Sequence, residues 1–386
     1  MKDTRDNTPL RNIVPATFLL TLAAGMLFTA VALARMELPK AGSLLSGERS
    51  ATFESRFETA LPVYEPALNL WTALRYTVFG EGDPPLVVGT EEWFFLAEEL
   101  EAFPEEGARL AEAENRIAQA ARQLAERDAA LAVVIVPSKA RLYADKLPPR
   151  MGTEVPGDVD RRLPAVSAAL EEARGTELPP ETVLVDAHRA MREARAAGTE
   201  VYLRTDTHWT PEGAAAVAEA AASAARPTLE RHDVNRMRFV TEAGETVAHE
   251  GDLLRFLPLG PFADALGPAP DSVRRYETRA AEGNDGAAGG SLLDDPEIPV
   301  TLVGTSYSAG ELWNFAGALK SALEADVLSV AAEGEGPFAP MEEYLDSEVI
   351  DDQPPRLVVW EIPERYLPRL GQVGDGGRGR GGRGRR

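Results

Sequence analysis

The chain has 386 residues, 44% of them hydrophobic, enough to bury one large core or two modest ones. It contains no cysteine, which excludes disulfides, thiolate nucleophiles and cysteine-based zinc sites. A formal net charge of -22 argues against nucleic acid as a partner, because such a chain repels phosphate wherever no basic patch overrides its field.

Residues 1–11 carry Lys2, Arg5 and Arg11, and Asn12 to Ala34 follow without a single charge. As a helix that run covers the roughly 30 Å of a bilayer's hydrocarbon. The basic residues ahead of it keep the short N-terminus in the cytoplasm and export everything after Arg35. The expectation is a signal-anchor over 12–34. A cleaved signal peptide ending at Ala32-Leu33-Ala34 is the rival, disfavoured by the length of the apolar run. Residues 35–84 read as a linker and approach segment rich in Pro, Glu and Leu.

Leu86 to Leu96, "LVVGTEEWFFL", predicts two short strands about a turn. Residues 105–128 place Leu110, Ile117, Ala121 and Leu124 at helical spacing. Leu131 to Pro137, "LAVVIVP", is an unbroken apolar run suited to a strand buried on both faces. The alternation continues with a helix near 159–174, a strand at Thr182–Ala187, a short helix through Met191, a strand at Glu200–Leu203 and a helix at 211–225. Residues 226–297 break the rhythm, and "AAEGNDGAAGGS" within them reads as a flexible loop. It resumes with a strand at Ile298–Gly304, a helix at 310–324 and a strand at Arg356–Ile362. Strands alternating with helices predict an α/β layered domain with a mainly parallel sheet. From Gly374 the chain is a Gly/Arg tract without apolar residues, expected to be disordered.

In such a sheet, reactive groups gather beyond the carboxyl ends of strands. Two segments meet that condition. In "RTDTHWTPEGA", Asp206 and His208 follow a strand, and Thr210-Pro211 begins a helix as N-cap and first helical residue. In "VGTSYSAGELWNF" an apolar strand ends in Gly304-Thr305-Ser306 ahead of another helix. A serine at that junction has an exposed hydroxyl and unpaired backbone N–H groups nearby. His208 would serve it as general base if Asp206 fixed the imidazole, giving an Asp-His-Ser triad. The residue types equally allow a capping aspartate, a surface histidine and a serine N-cap. Metal-ligand spacing is absent, since no second histidine lies three to five residues after His208 and His188, His232 and His249 are scattered.

"VVGTEEWFFLAEEL", "VPSKARLYADKLP", "RTDTHWTPEGA", "EGDLLRFLPLG", "LVGTSYSAGELWNFAGALKSAL", "EGEGPFAPMEEYLDS" and "PRLVVWEIPERYL" resemble, in this order, blocks of the alginate O-acetyltransferases, the AlgJ/AlgX-like SGNH-hydrolase domains of exopolysaccharide machinery. The resemblance covers about residues 85–370. It implies a three-layer α/β/α SGNH-like domain over 85–370, with Ser306 as nucleophile, His208 as base and Asp206 as its orienter. The order Asp-His before Ser reverses that of ordinary SGNH esterases. The 371–386 tail then lies outside the domain, and the chain reads as the membrane-anchored, single-domain form.

Softer candidates surround the triad. Tyr307, Asn314 and Arg365 are read as oxyanion or sugar contacts, or as packing residues. Trp209 and Trp313 are read as sugar-stacking rings, or as core. Lys139 is read as meeting an anionic uronate, or as solvated. The expected activity is O-acetyl transfer to an exopolysaccharide through an acetyl-serine, without nucleotide, metal or flavin. The resemblance implies a membrane-bound O-acyltransferase as acetyl supplier and a single-pass protein of the bacterial inner membrane with its catalytic domain in the periplasm. A carbohydrate acetylesterase using the same triad and a non-catalytic subunit of a secretion complex are the alternatives.

Overall fold

The computed structural model describes residues 8–35, 53, 56–57, 60–61, 63–152, 154–282 and 298–369. The Gly/Arg tail and most of the 280–291 loop lie outside the described residues. The chain divides into two compact units, residues 1–82 with 257–267, and residues 83–256 with 268–386.

In the first unit the apolar run lies within one helix, Thr8–Arg35. Its side chains are described for 15–31, 33 and 34, and among the described residues no helix is long and apolar enough to cross a membrane. A second helix, Tyr64–Leu74, packs its Asn69 against Gly260, where a Cβ would fall 2.1 Å from the Asn69 amide.

The second unit is built on a five-stranded sheet whose three central strands bury both faces. Its members are β3 (Ala130–Val136), β4 (Val183–Val185), β7 (Val300–Val303), β8 (Val327–Ser329) and β9 (Leu357–Pro363). They run in the order β4-β3-β9-β7-β8 with every neighbouring pair parallel. Two hairpins complete the strands. β1 (Leu86–Val88) and β2 (Phe94–Leu96) pair antiparallel, as do β5 (Phe239–His249) and β6 (Asp271–Ala280).

The period of two explains the layers. Along β3, Ala130, Ala132, Val134 and Val136 enter one core, and Leu131, Val133 and Ile135 the other. The first core is closed by helices Ala187–Ala196, Pro211–Arg231 and Phe315–Leu323. Helices Glu106–Ala125, Gly157–Ala173 and Phe338–Leu345 close the second. At roughly 1.5–3 kcal/mol for each fully buried large aliphatic side chain, these two cores dominate the unit's stability.

Three expectations change. Glu200–Leu203 is not a strand of the sheet: Tyr202 makes only an isolated antiparallel bridge to Trp209, so the segment doubles back across the site. The expected helix at 310–324 is broken, because Asn314 takes a left-handed conformation (φ 50°) between the short turn Glu311–Trp313 and helix Phe315–Leu323. The 226–297 stretch contains the β5–β6 hairpin, whose mostly exposed strands show no apolar alternation.

Candidate active site

The parallel sheet brings the carboxyl ends of β3, β9 and β7 together, and each end contributes to the site. Beyond β7, Thr305 caps helix Ser306–Ala309, its hydroxyl accepting from the Tyr307 N–H, so Ser306 is the first helical residue and not the cap. Glu361, fully buried on the adjacent β9, fixes this turn. Its carboxylate accepts from the Thr305 N–H (2.8 Å), the Thr305 hydroxyl (3.0 Å) and the Ser308 hydroxyl (3.0 Å). Burial raises its pKa, with these donors opposing. Glycine is required at position 304 because a Cβ would stand 2.6 Å from that carboxylate.

The histidine segment is held differently. Thr210 caps helix Pro211–Arg231, accepting from the Gly213 N–H (3.0 Å), as its sequence predicts. Residues 204–209 ahead of it lie on no sheet strand, and acids from elsewhere grip their amides. Asp271 accepts from the Arg204 and Thr205 N–H groups and the Thr205 hydroxyl. Asp252 accepts from the Thr207 N–H and hydroxyl, both at 2.8 Å. Gly251 makes that approach possible, since a Cβ there would lie 2.0 Å from the Thr205 carbonyl oxygen.

These two frames meet in one chain of hydrogen bonds. Asp206 Oδ1 lies 2.6 Å from His208 Nδ1, and His208 Nε2 lies 2.8 Å from Ser306 Oγ. Asp206 is 2% exposed, while His208 and Ser306 are half-buried and reachable. Burial alone would raise the Asp206 carboxyl. Hydrogen bonds from His208 and His249 outweigh it and hold the group well below the usual carboxylate range. An ionised carboxylate only accepts, so His208 Nδ1 carries the hydrogen and Nε2 is left to accept from the serine hydroxyl. The indole of Trp313 stacks on His208 at 4.9 Å and 17°, fixing the ring plane. The Ser306 N–H, first in its helix, has no hydrogen-bond partner among the described residues and sits beside the hydroxyl that would attack.

The softer candidates fall elsewhere. Lys139 is fully buried, its ammonium donating to the carbonyls of Phe94 (2.6 Å), Arg204 (2.7 Å) and Asp206 (3.0 Å). It is a structural tie and not a solvated uronate ligand. Burial drives its amine down to about 8, against the pull of Glu99 and Asp206. Trp209 is also fully buried, donating from Nε1 to the Tyr307 carbonyl, and is core, not a sugar platform. Tyr307 is buried beneath the site, its hydroxyl donating to the Thr207 carbonyl and accepting from Arg365. Arg365 is buried there as well, paired with Glu98. Asn314 donates to the Thr278 hydroxyl, linking the serine segment to β6. These residues brace the centre from behind.

One functional side chain escaped the sequence reading. His249, dismissed as scattered, places Nε2 2.7 Å from Asp206 Oδ2. Its only sequence signal is adjacency to the "EGDLLRFLPLG" block. Ligand atoms of Asp206, His208 and Asp252 also lie within 4.8 Å of one another, a cation-sized grouping. In this grouping the Asp252 carboxylate accepts from Thr207, and the Asp206 carboxylate from His208 and the Asp252 N–H.

The family described as SGNH hydrolase-like domain, acetyltransferase AlgX, matches residues 86–364. The probable alginate O-acetylase AlgJ of Azotobacter vinelandii is 38% identical over 358 residues, covering 92% of this chain and 89% of that protein. Its namesake from Pseudomonas aeruginosa is 41% identical over 330 residues, covering 84% and 81%. Among solved structures, the O-acetyltransferase domain of Pseudomonas putida AlgJ superposes with a TM-score of 0.62 at 36% identity, over 74% of this chain and 92% of that one. The Pseudomonas aeruginosa AlgX structure, 22% identical with a TM-score of 0.55 over 75% of this chain and 67% of that one, shares the fold. The chain therefore belongs to the SGNH hydrolase-like acetyltransferase family and is an O-acetyltransferase.

Proposed function

We propose that the protein transfers acetyl groups to hydroxyls of an alginate-like exopolysaccharide through an acetyl-serine on Ser306. The observation that carries this reading is the continuous chain Asp206–His208–Ser306, which ends at the hydroxyl of a partly exposed serine whose N–H has no partner among the described residues. The names of the AlgJ relatives support the acceptor class.

In the first half-reaction Ser306 Oγ attacks the carbonyl carbon of an acetyl donor while His208 Nε2 takes the hydroxyl proton. The oxyanion points to the Ser306 N–H, and Asp206 stabilises the imidazolium. Collapse breaks the bond to the donor's leaving group, which takes the proton from His208. In the second half-reaction a sugar hydroxyl gives its proton to His208 and attacks the acetyl-serine. Its collapse forms the sugar acetate, and the proton returns to Ser306 Oγ. Both halves use one base and one serine, and neither uses a nucleotide, metal or flavin.

The uncharged run Asn12–Ala34 supports an uncleaved anchor in the bacterial inner membrane, with the 85–370 domain on the periplasmic side. That placement suits acetyl delivery by a membrane-bound O-acyltransferase, since the donor would arrive at the same surface.

The test is incubation of the purified protein with an activated acetyl ester, with and without mannuronate oligosaccharides. The expected results are an acetyl adduct on Ser306 by intact-mass and peptide mass spectrometry, and acetylated oligosaccharide as product. Loss of both in Ser306→Ala is required. Acetate as the only product would make the protein an esterase, and undiminished activity of Ser306→Ala would remove the triad reading altogether.

A further inference from the structure

Asp206 is shared by two imidazoles. Its Oδ1 accepts from the His208 N–H (2.9 Å) and Nδ1 (2.6 Å), and its Oδ2 from His249 Nε2 (2.7 Å) and the Asp252 N–H (3.0 Å). The general base needs only the first pair. We infer that His249 is a positioning residue for acyl transfer, a second histidine that fixes the Asp206 carboxylate and, by its own charge state, sets how strongly that carboxylate supports His208. This rests on the triad reading above.

The construction around His249 is specific. It ends β5 and pairs in register with Asp271, the first residue of β6, which itself grips Arg204 and Thr205. The base of the hairpin thus delivers one residue to the triad carboxylate and another to the backbone beside it. Most of β5 is exposed, yet His249 turns inward to a carboxylate that is 2% exposed. Trp313 bridges the two imidazoles, stacked on His208 and edge-on to His249 at 5.6 Å and 90°. One indole therefore holds both rings about one carboxylate.

The acids facing His249 are Asp206, Asp252 and Asp271, and the Lys139 ammonium lies in the field of the same three carboxylates. The hydrogen bond to Asp206 raises its pKa above the ordinary imidazole value, with burial opposing. As pH falls through that raised value, His249 becomes a cation on Asp206 Oδ2. The carboxylate then divides its charge between two imidazolium ions during catalysis and stabilises the one on His208 less. The acid side of the rate profile must accordingly fall one proton more steeply than it would if His249 did not titrate. A histidine serving only as a hydrogen-bond donor predicts a one-proton fall.

The deciding experiment measures kcat and KM for acetyl-ester turnover from about pH 5 to about pH 9 in the wild type, His249→Gln, His249→Ala and Ser306→Ala, all as full chains. The wild-type acid limb is expected to steepen towards a two-proton slope. His249→Gln keeps an N–H donor and loses the titration. It should hold kcat within about 3-fold at the alkaline end and show a one-proton limb, while His249→Ala lowers kcat about 10- to 100-fold with little change in KM. A one-proton wild-type limb, an unchanged slope in His249→Gln, or wild-type kcat in His249→Ala would overturn the inference. The wild-type slope decides even if His249→Ala does not fold. An active Ser306→Ala would instead overturn the triad reading beneath it, so the two failures are distinguishable.

Discussion

The serine turn and the histidine segment present their side chains to one another across 2.8 Å, yet they are held by opposite means. Ser306 sits three residues past a buried parallel strand, and its turn is tied to the adjacent strand by a single carboxylate, Glu361. The segment from Arg204 to Trp209 belongs to no strand of the five-stranded sheet. Its amides and carbonyls are gripped by Asp252, Asp271 and Lys139, whose own positions are far apart in the chain. The nucleophile is therefore placed by the fold, and its base by a polar network that must be complete before the geometry exists. Such a network has high stakes, because each unmatched buried group costs about 1–3 kcal/mol. Damage should accordingly be larger, and spread further, when it strikes the histidine side.

The sharpest break is Lys139→Met. It keeps the buried volume and leaves the carbonyls of Phe94, Arg204 and Asp206 without their shared donor. Three buried hydrogen bonds from one ammonium lost together imply a stability loss of about 3 kcal/mol or more, read in urea or thermal unfolding. Activity should fall with stability, since one of those carbonyls belongs to Asp206 itself. A Lys139→Met protein with wild-type stability would show that Asp252, Asp271 and packing hold the segment without Lys139.

Next in size is Gly251→Ala. The added Cβ would fall 2.0 Å from the Thr205 carbonyl, so residues 249–252 must withdraw from the histidine segment. The expected result is a kcat loss of about 100-fold, in keeping with an ångström-scale misplacement of the base. Binding of a Ser306-directed phosphonate should slow in parallel, because the serine then lacks an aligned base. The matching lesion on the serine side, Glu361→Gln, keeps one acceptor oxygen for Thr305 and Ser308, removes the charge and turns the other oxygen into an NH2 group. A kcat loss of about 10-fold is expected there, with stability within about 1 kcal/mol of the wild type. If Glu361→Gln proved the more damaging of the two, the contrast between the segments would be reversed.

The same contrast explains what could be read in advance. The sheet was legible because β3, β7 and β9 are apolar runs, and the serine was legible because such a strand ends in Gly-Thr-Ser before a helix. His208 and Asp206 were legible as residue types beside a well-marked helix start at Thr210-Pro211. The network that holds them was not. The β5–β6 hairpin exposes both its strands and so shows no apolar alternation, and it alone brings His249 and Asp271 to the site. Lys139 reads as a surface lysine at a strand end. Its burial follows from three carbonyls converging from distant segments, which no local spacing records. For Tyr307, Trp209 and Arg365 the sequence leaves contact and packing equally open, and their burial decides for packing.

The smallest expected effect separates stability from activity within the histidine side itself. Asp206 has a folded pKa held far below its unfolded value, so its contribution to stability is present above about pH 4 and is lost only in strong acid. His249 has a folded pKa raised above its unfolded value, so its contribution is full below about pH 6.5 and is lost as pH rises through the raised value. The ion pair that steadies the fold is thus the one that weakens support for His208. Stability should decline modestly from about pH 6 to about pH 8 while kcat climbs, and His249→Gln should flatten this part of the stability curve. Paired urea titrations of the two proteins across that range measure the difference directly, and parallel curves would assign no titration to His249. The serine side should cancel from that difference, because Glu361 and the amide and hydroxyls it holds are the same in both proteins.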